Sequence, residues 1–404
     1  MFKNLIFTAV LLLTVFSGAQ AQKKELSKAK ANIKAGTSLA ETEASLRQLL
    51  TDSACRNNEK VWLVLFDAVK KQYDKTNEEM YLHHTADTAQ LLKAAYRMYG
   101  VLEGLDSLDM QPDETGRVRL KYRKKHAEYL NLYRPNLYNG GLYFMRKQDF
   151  SVSYDFFHTY LDCQLQPLFS GYQYMQTDRL MPQAAFYAVY CGYKLQDSDK
   201  ALRYVDLARK DTSHLETLYQ YVAETYKLKA DTAAVLATLQ EGFDRFPYST
   251  YFFPHLFDYY FGHGFIAEAS SLCDKALRVD SSSVMFRFAK SSVLLAQGKY
   301  GECITICDSL IAVNDSLADV YLNAGLAYYN QGVALDGHTK LTKAQRSVML
   351  DYYSKAMPYL QRYRQLAPDQ IGRWGLPLYT IYLNLNMGKE FEEVDALLRK
   401  AQGK

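Results

Sequence analysis

Eight histidines, at 83, 84, 126, 158, 214, 255, 263 and 338, and six cysteines, at 55, 163, 191, 273, 303 and 307, are the side chains best suited to metal or nucleophilic chemistry. Their spacing argues against both. The chain has no His-Glu-x-x-His, no Cys-x-x-Cys and no phosphate-cradling Gly-x-x-x-x-Gly-Lys-Ser/Thr. It also lacks Gly-x-Ser-x-Gly and, after a strand pattern, Gly-x-Gly-x-x-Gly. His83 and His84 are adjacent, so their side chains point apart. His255 and Asp258 share a helix face at i, i+3, but His263 falls in the following turn. Cys303 and Cys307 lie four apart on one core-facing helix with no histidine at a telling distance. They read as small apolar fillers; a bridge such as Cys273 to Cys303 is left open by the spacing. The expectation is no catalytic residue, no metal and no cofactor, hence no enzyme.

The elements that would position any site are helices. Of 404 residues, 48% are apolar and 23% charged, the balance of a globular chain. A net charge of +4, evenly mixed, gives no nucleic-acid footprint. Small and aromatic residues recur in register from Pro182, Glu216, Thr250, Val284 and Ala318, four successive steps of 34. A period in the range of roughly 20–50 residues marks stacked helical repeats, because one unit cannot bury its own apolar face and stacking does.

The segments "YLNAGLAYYNQG" at 321–332, "AQGKYGECITICDSLIAVN" at 296–314 and "YFGHGFIAEASSLCDKALRVD" at 260–280 resemble the tetratricopeptide repeat (TPR) family. Ala223, Phe257 and Ser291 stand where the family's helix-crossing glycine would be, and Cys303 stands for an alanine. The resemblance covers 134–400 and, more weakly, 38–105, and looks like exported TPR proteins of Bacteroides-type bacteria. It implies an all-α fold, a TPR-like right-handed superhelical solenoid of antiparallel helix pairs. It also implies that certain helix A positions line a concave groove. Carried onto this chain, those are Tyr138, Met145, Arg146, Phe186, Tyr190, Tyr193, Lys194, Gln220, Glu224 and Lys227. Further along they are Tyr251, Asp258, Phe261, Phe288, Tyr329 and Asn330. A groove so aromatic is expected to hold a partner. The lysine, asparagine and arginine clamp with which some relatives grip a terminal carboxylate is not evident.

Lys3, the apolar run Leu5 to Phe16 and Ala19-Gln20-Ala21 predict a secretory signal peptide over 1–21. A flexible or helical lead over 22–37 and degenerate helical hairpins over 38–116 should follow. The TPR-like array would then occupy 117–404, with insertions near 164–181 and 333–351. The first insertion is aromatic and the second reads as a backward extension of the next helix. Pro135 is expected to break or restart its helix. Arg117, Arg119, Lys121, Arg123, Lys124 and Lys125 form the single basic cluster. It reads as a solvated helix face, or more sharply as a contact for an acidic partner or an anionic headgroup.

The sequence therefore predicts an exported, periplasmic or secreted, non-catalytic scaffold. Its partner would be another protein or peptide, in the setting of an envelope complex, with no nucleic acid and no transmembrane segment. A glycan- or lipid-facing accessory of such a complex is the alternative, and a hydrolytic enzyme the more distant one.

Overall fold

The computed structural model describes residues 22–83, 87–336 and 341–401. The expected signal peptide, His84, His338 and residues 337–340 of the second insertion lie outside the described residues. Every regular element among the described residues is helical, and none is long and apolar enough to cross a membrane. The chain divides into two compact units, up to Val235 and from Leu236 onward.

In the first unit, α1 (residues 22–35) shows that the lead is helical. It is followed by α2 (Leu39–Leu49), the single turn α3 (Ser53–Arg56), α4 (Glu59–His83) and α5 (Thr88–Asp109). The dense apolar run predicts burial of α4 on more than one side, and Val61, Val64, Leu65, Ala68 and Val69 are all buried. Then come α6 (Arg123–Arg146), α7 (Phe150–Asp162), α8 (Tyr174–Thr177) and α9 (Met181–Lys194). Two short pieces, α10 (Ser198–Leu202) and α11 (Val205–Ala208), precede α12 (Leu215–Leu228). In this repeat the segment after α9 is split into these two pieces. No glycine or proline separates them; the break coincides with Tyr204, whose hydroxyl hydrogen-bonds with Nδ1 of His158.

The helix α13 (Thr232–Arg245) straddles the boundary. The second unit continues with α14 (Phe252–Gly262), α15 (Ile266–Val279), α16 (Val284–Ala296), α17 (Tyr300–Val313) and α18 (Ala318–Asp336). It ends with α19 (Lys343–Leu366), α20 (Ile371–Asn384) and α21 (Gly388–Ala401). From α14 to α21 each helix packs on the next in the chain. Short connections make such neighbours antiparallel.

Small residues govern the crossings. A Cβ on Gly141 would fall 2.6 Å from the Phe157 ring, and one on Gly325 would fall 2.7 Å from Leu360 Cγ. Ala223 and Ser291 are fully buried at the equivalent positions. Phe257 is half-buried there and stacks along its own helix, 6.0 Å from Phe253 and 5.2 Å from Phe261 between ring centroids. All six cysteines are buried and unbridged.

Two local expectations fail. Helix α6 runs through Pro135 without a break. Proline removes the N–H that the carbonyl of Asn131 would have received, but the helix continues past it, with Leu130, Arg134, Leu137 and Tyr138 buried on either side along the chain. The basic stretch is not a helix face at its start, because α6 begins only at Arg123. The residues before it instead follow the end of α5. Asp106 there accepts two bonds from the Arg123 guanidinium, at 2.8 and 2.7 Å, and Asp109 accepts from the Tyr122 N–H at 3.1 Å.

The first insertion folds onto its own unit. A 3-10 turn (Pro167–Phe169) and α8 bury Leu168, Phe169 and Tyr174. Beneath them the Arg134 guanidinium lies 3.7 Å from the Tyr160 ring centroid and 3.9 Å from that of Tyr174. It donates to the Tyr160 carbonyl at 3.1 Å and pairs with Asp178. Asp178 also accepts from the Tyr160 hydroxyl and, at 2.9 Å, from the Leu180 N–H.

Candidate docking surface

The sites predicted from the repeat register separate into an open set and a closed set. Tyr193 and Lys194 end α9, and Glu224 and Lys227 lie in the last two turns of α12. The register places equivalent turns of two successive A helices at the same level, and the structure brings all four side chains to one cavity. With Gln196 and Leu228 they line ≈ 460 Å³. The chain can turn sharply under this cavity because Gln196 takes φ 54, a left-handed conformation. The Asp197 N–H then bonds back to the Gly192 carbonyl at 3.0 Å, and the Asp197 carboxylate caps α10 through the Lys200 N–H at 3.1 Å.

The walls are aromatic and the rim is charged. Tyr193 stacks on Tyr221 at 4.6 Å and 21°. Tyr190 meets Tyr221 at 5.5 Å and the edge of Phe150 at 5.7 Å. Lys194 Nζ lies 5.6 Å from the Tyr190 centroid and 5.8 Å from that of Tyr193. At an exposed site each such cation–π contact contributes about 0.5–1 kcal/mol, enough to bias where the ammonium sits without fixing it. Lys227 donates to Glu224 at 2.6 Å. Burial pushes the Tyr221 hydroxyl above its ordinary range, with Tyr190 and Tyr193 adding to it. Tyr221 links the cluster and was missed, because the register singles out its neighbour Gln220, which is half-buried. The signal was available: Tyr190, Tyr193 and Tyr221 occupy nearby turns of consecutive A helices.

Tyr138 and Phe186 belong to the closed set. Both are buried, and so they do not offer a ring to a groove. The Tyr138 hydroxyl donates to Gln183 Oε1 at 2.6 Å. Phe186 stacks on His214 at 4.4 Å, and His214 Nδ1 meets Asp211 at 2.7 Å. Near the end of α6, Met145 is half-buried and Arg146 exposed.

In the second unit the candidates do not converge. Tyr251 lies against His255 at 4.1 Å, Asp258 is exposed, and Phe261 stacks on Phe257. Phe288 lines a mostly apolar cavity of ≈ 470 Å³ with Val284, Met285, Leu317 and Val320. Asp319 on the same cavity is paired with Arg373 at 2.6 Å. The Tyr329 hydroxyl donates to Thr380 at 3.4 Å, and Asn330 is half-buried beside it. His255 and His263 each place Nδ1 on a carbonyl of their own helix, at 2.7 and 2.8 Å. The two imidazoles are thus held separately rather than turned toward Asp258.

Half of the basic cluster is spent internally. Arg119 pairs with Asp113 at 3.5 Å, Lys121 with Glu59, and Arg123 with Asp106 at 2.7 Å. Arg117, Lys124 and Lys125 remain exposed.

No protein-family model matches the chain, and no curated protein matches it. Its structural neighbours are TPR repeat proteins. The C-terminal part of a TPR repeat-containing protein from Cytophaga hutchinsonii is 10% identical, covering 63% of this chain and 91% of that one at a TM-score of 0.42. A TPR repeats protein from Bacteroides fragilis is 14% identical, covering 65% of this chain and 98% of that one at a TM-score of 0.31.

Proposed function

We propose that this chain is a non-catalytic scaffold of the cell envelope, holding a protein or peptide segment across the ends of α9 and α12. The observation that carries this reading is the meeting of Tyr193, Lys194, Glu224 and Lys227 in one cavity beside half-buried Tyr190 and Tyr221. Tyrosine is suited to the task, since its ring gives apolar contact at little entropic cost and its hydroxyl stays wet. The two ammoniums and the carboxylate select against segments of the wrong charge, and the rings supply the contact energy. No covalent step is involved.

The test is capture from envelope extract by the immobilised chain, with Tyr193→Ala/Lys227→Glu alongside. Removing one aromatic anchor and reversing one charge should weaken capture about tenfold or more while the helical circular dichroism stays unchanged. Undiminished capture by that variant would move the site elsewhere.

The envelope location rests on the leader-like residues 1–21. Recovery of the protein from the cytoplasm with Met1 still attached would remove that part of the proposal.

A further inference from the structure

The surface at the ends of α9 and α12 has committed its acceptors and kept its donors. Both helices end in a turn that folds its own N–H groups back onto the last carbonyls. After α9 the Gly192 and Tyr193 carbonyls each accept at 3.0 Å, from the Asp197 and Gln196 N–H groups. After α12 the Tyr226 and Lys227 carbonyls accept at 3.1 and 2.9 Å, from the Asp231 and Ala230 N–H groups. The carboxylate in the cavity wall, Glu224, accepts from Lys227 at 2.6 Å. It keeps acceptor capacity, but its charge is met.

The donors stand otherwise. Lys194 is exposed and pairs with no carboxylate among the described residues; its ammonium lies against the Tyr190 and Tyr193 rings. The hydroxyls of Tyr190, Tyr193 and Tyr221 have no hydrogen-bond partner among the described residues. All three residues are half-buried, and none of these hydroxyls is sealed from water. Because Tyr221 meets both of the other rings, an apolar wall runs alongside the donors. A guest that fits brings more acceptors than donors, together with flat apolar faces.

We propose that the segment held here is proline-rich and docks as a left-handed polyproline helix. This rests on the docking surface described above and names the chemistry of its occupant. A polyproline helix makes no internal hydrogen bonds, so its carbonyls are open to the tyrosine hydroxyls and the Lys194 ammonium, and proline brings no N–H in need of an acceptor. Its rings are apolar and the helix is already ordered, so packing it on tyrosine costs little entropy. An ordinary extended peptide carries an N–H for every carbonyl and would turn those groups toward a surface short of acceptors. An acidic segment brings acceptors to Lys194 but no apolar face to the rings, and Glu224 opposes its charge.

The experiment is calorimetric titration of the full chain with acetylated nonaproline amide. Peptides of equal length built from Gly-Ser and from Glu-Ser serve as comparators. Nonaproline should bind at least about tenfold tighter than either. Tyr193→Phe/Lys194→Met keeps the ring and the aliphatic stem but removes two donors. It should weaken nonaproline binding about tenfold, with the helical circular dichroism unchanged. The proposal is overturned if no peptide binds, if either comparator binds as well as nonaproline, or if the Tyr193/Lys194 variant binds nonaproline as well as the parent. Should nonaproline fail while Tyr193→Ala/Lys227→Glu loses capture from envelope extract, the proline assignment falls and the docking surface stands. If nonaproline fails and that capture is undiminished, both fall.

Discussion

The two insertions interrupt the helix pairs in opposite ways. Between α7 and α9 the chain turns back and lays Leu168, Phe169 and Tyr174 into its own unit. Between α18 and α19 it leaves residues 342–348 exposed, and α19 simply starts early, at Lys343. The first carries Pro167 and Gly171, which discourage helix, and aromatic rings that gain by burial. It also has Asp178, which reaches a buried arginine. The second carries good helix formers behind a capping box, in which Thr342 and Gln345 satisfy each other's backbone N–H groups. A buried charge is what divides the two. Once Arg134 is enclosed, the insertion must stay down to neutralise it, whereas no buried charge makes a comparable claim among the described residues of the second insertion.

The largest expected effect follows from that claim. Asp178→Ala would strand a buried guanidinium, and breaking a buried pair in this way costs about 3–5 kcal/mol. Denaturant melts and hydrogen exchange over 165–180 would read it. If the variant is as stable as the parent, the latch is not what holds the insertion.

A smaller effect is pH-dependent and lies at the root of the same insertion. Glu103 is held protonated up to about 7, from an ordinary 4.5, chiefly by burial and secondarily by Asp162. Its folded-state pKa is raised, so the native chain binds more protons than the unfolded one, and stability falls as pH rises from about 4.5 toward 7. Glu103→Gln should flatten that fall, with the gain over the parent greatest above pH 7. Asp178 has the opposite sign. Burial pushes its carboxyl up, but hydrogen bonds from Tyr160, Arg134 and the Leu180 N–H outweigh this and hold it below its usual value. Its contribution is full above the ordinary carboxylate range and is lost as pH falls through the lowered pKa. Melts of Glu103→Gln and parent across pH 3–8 separate the two, and identical profiles above pH 5 would contradict the Glu103 assignment.

The smallest effect belongs to the second insertion. Thr342→Ala removes a helix cap at an exposed end, where caps contribute about 1 kcal/mol. The loss should appear as fraying near Lys343 by hydrogen exchange, with little change in the global melt. A cost equal to that of Asp178→Ala would erase the distinction between the insertions.

Much of the fold is legible in the chain because its cause is local. The 34-residue step, the small residues at Gly141, Ala223, Ser291 and Gly325, and the apolar spacing of α4 each dictate a helix and a face without reference to distant residues. The candidate cavity at the ends of α9 and α12 was half legible for the same reason. Register placed Tyr193, Lys194, Glu224 and Lys227 on corresponding turns, but it also nominated Tyr138 and Phe186. It could not say that Gln183 and His214 would cover them. Pro135 was misjudged because its effect on α6 depends on the helices beside it.

Amino-acid order alone determined that this protein is built from paired helices with small residues at their crossings, since both follow from contacts a few residues apart along one helix or between neighbours. Only the tertiary structure decided which tyrosines stay open and that Arg134 is enclosed. Its partner Asp178 is 44 residues away, and Gln183, which closes over Tyr138, is 45 away. Burial is set by whatever arrives from such distances, and periodicity specifies a face but not its cover.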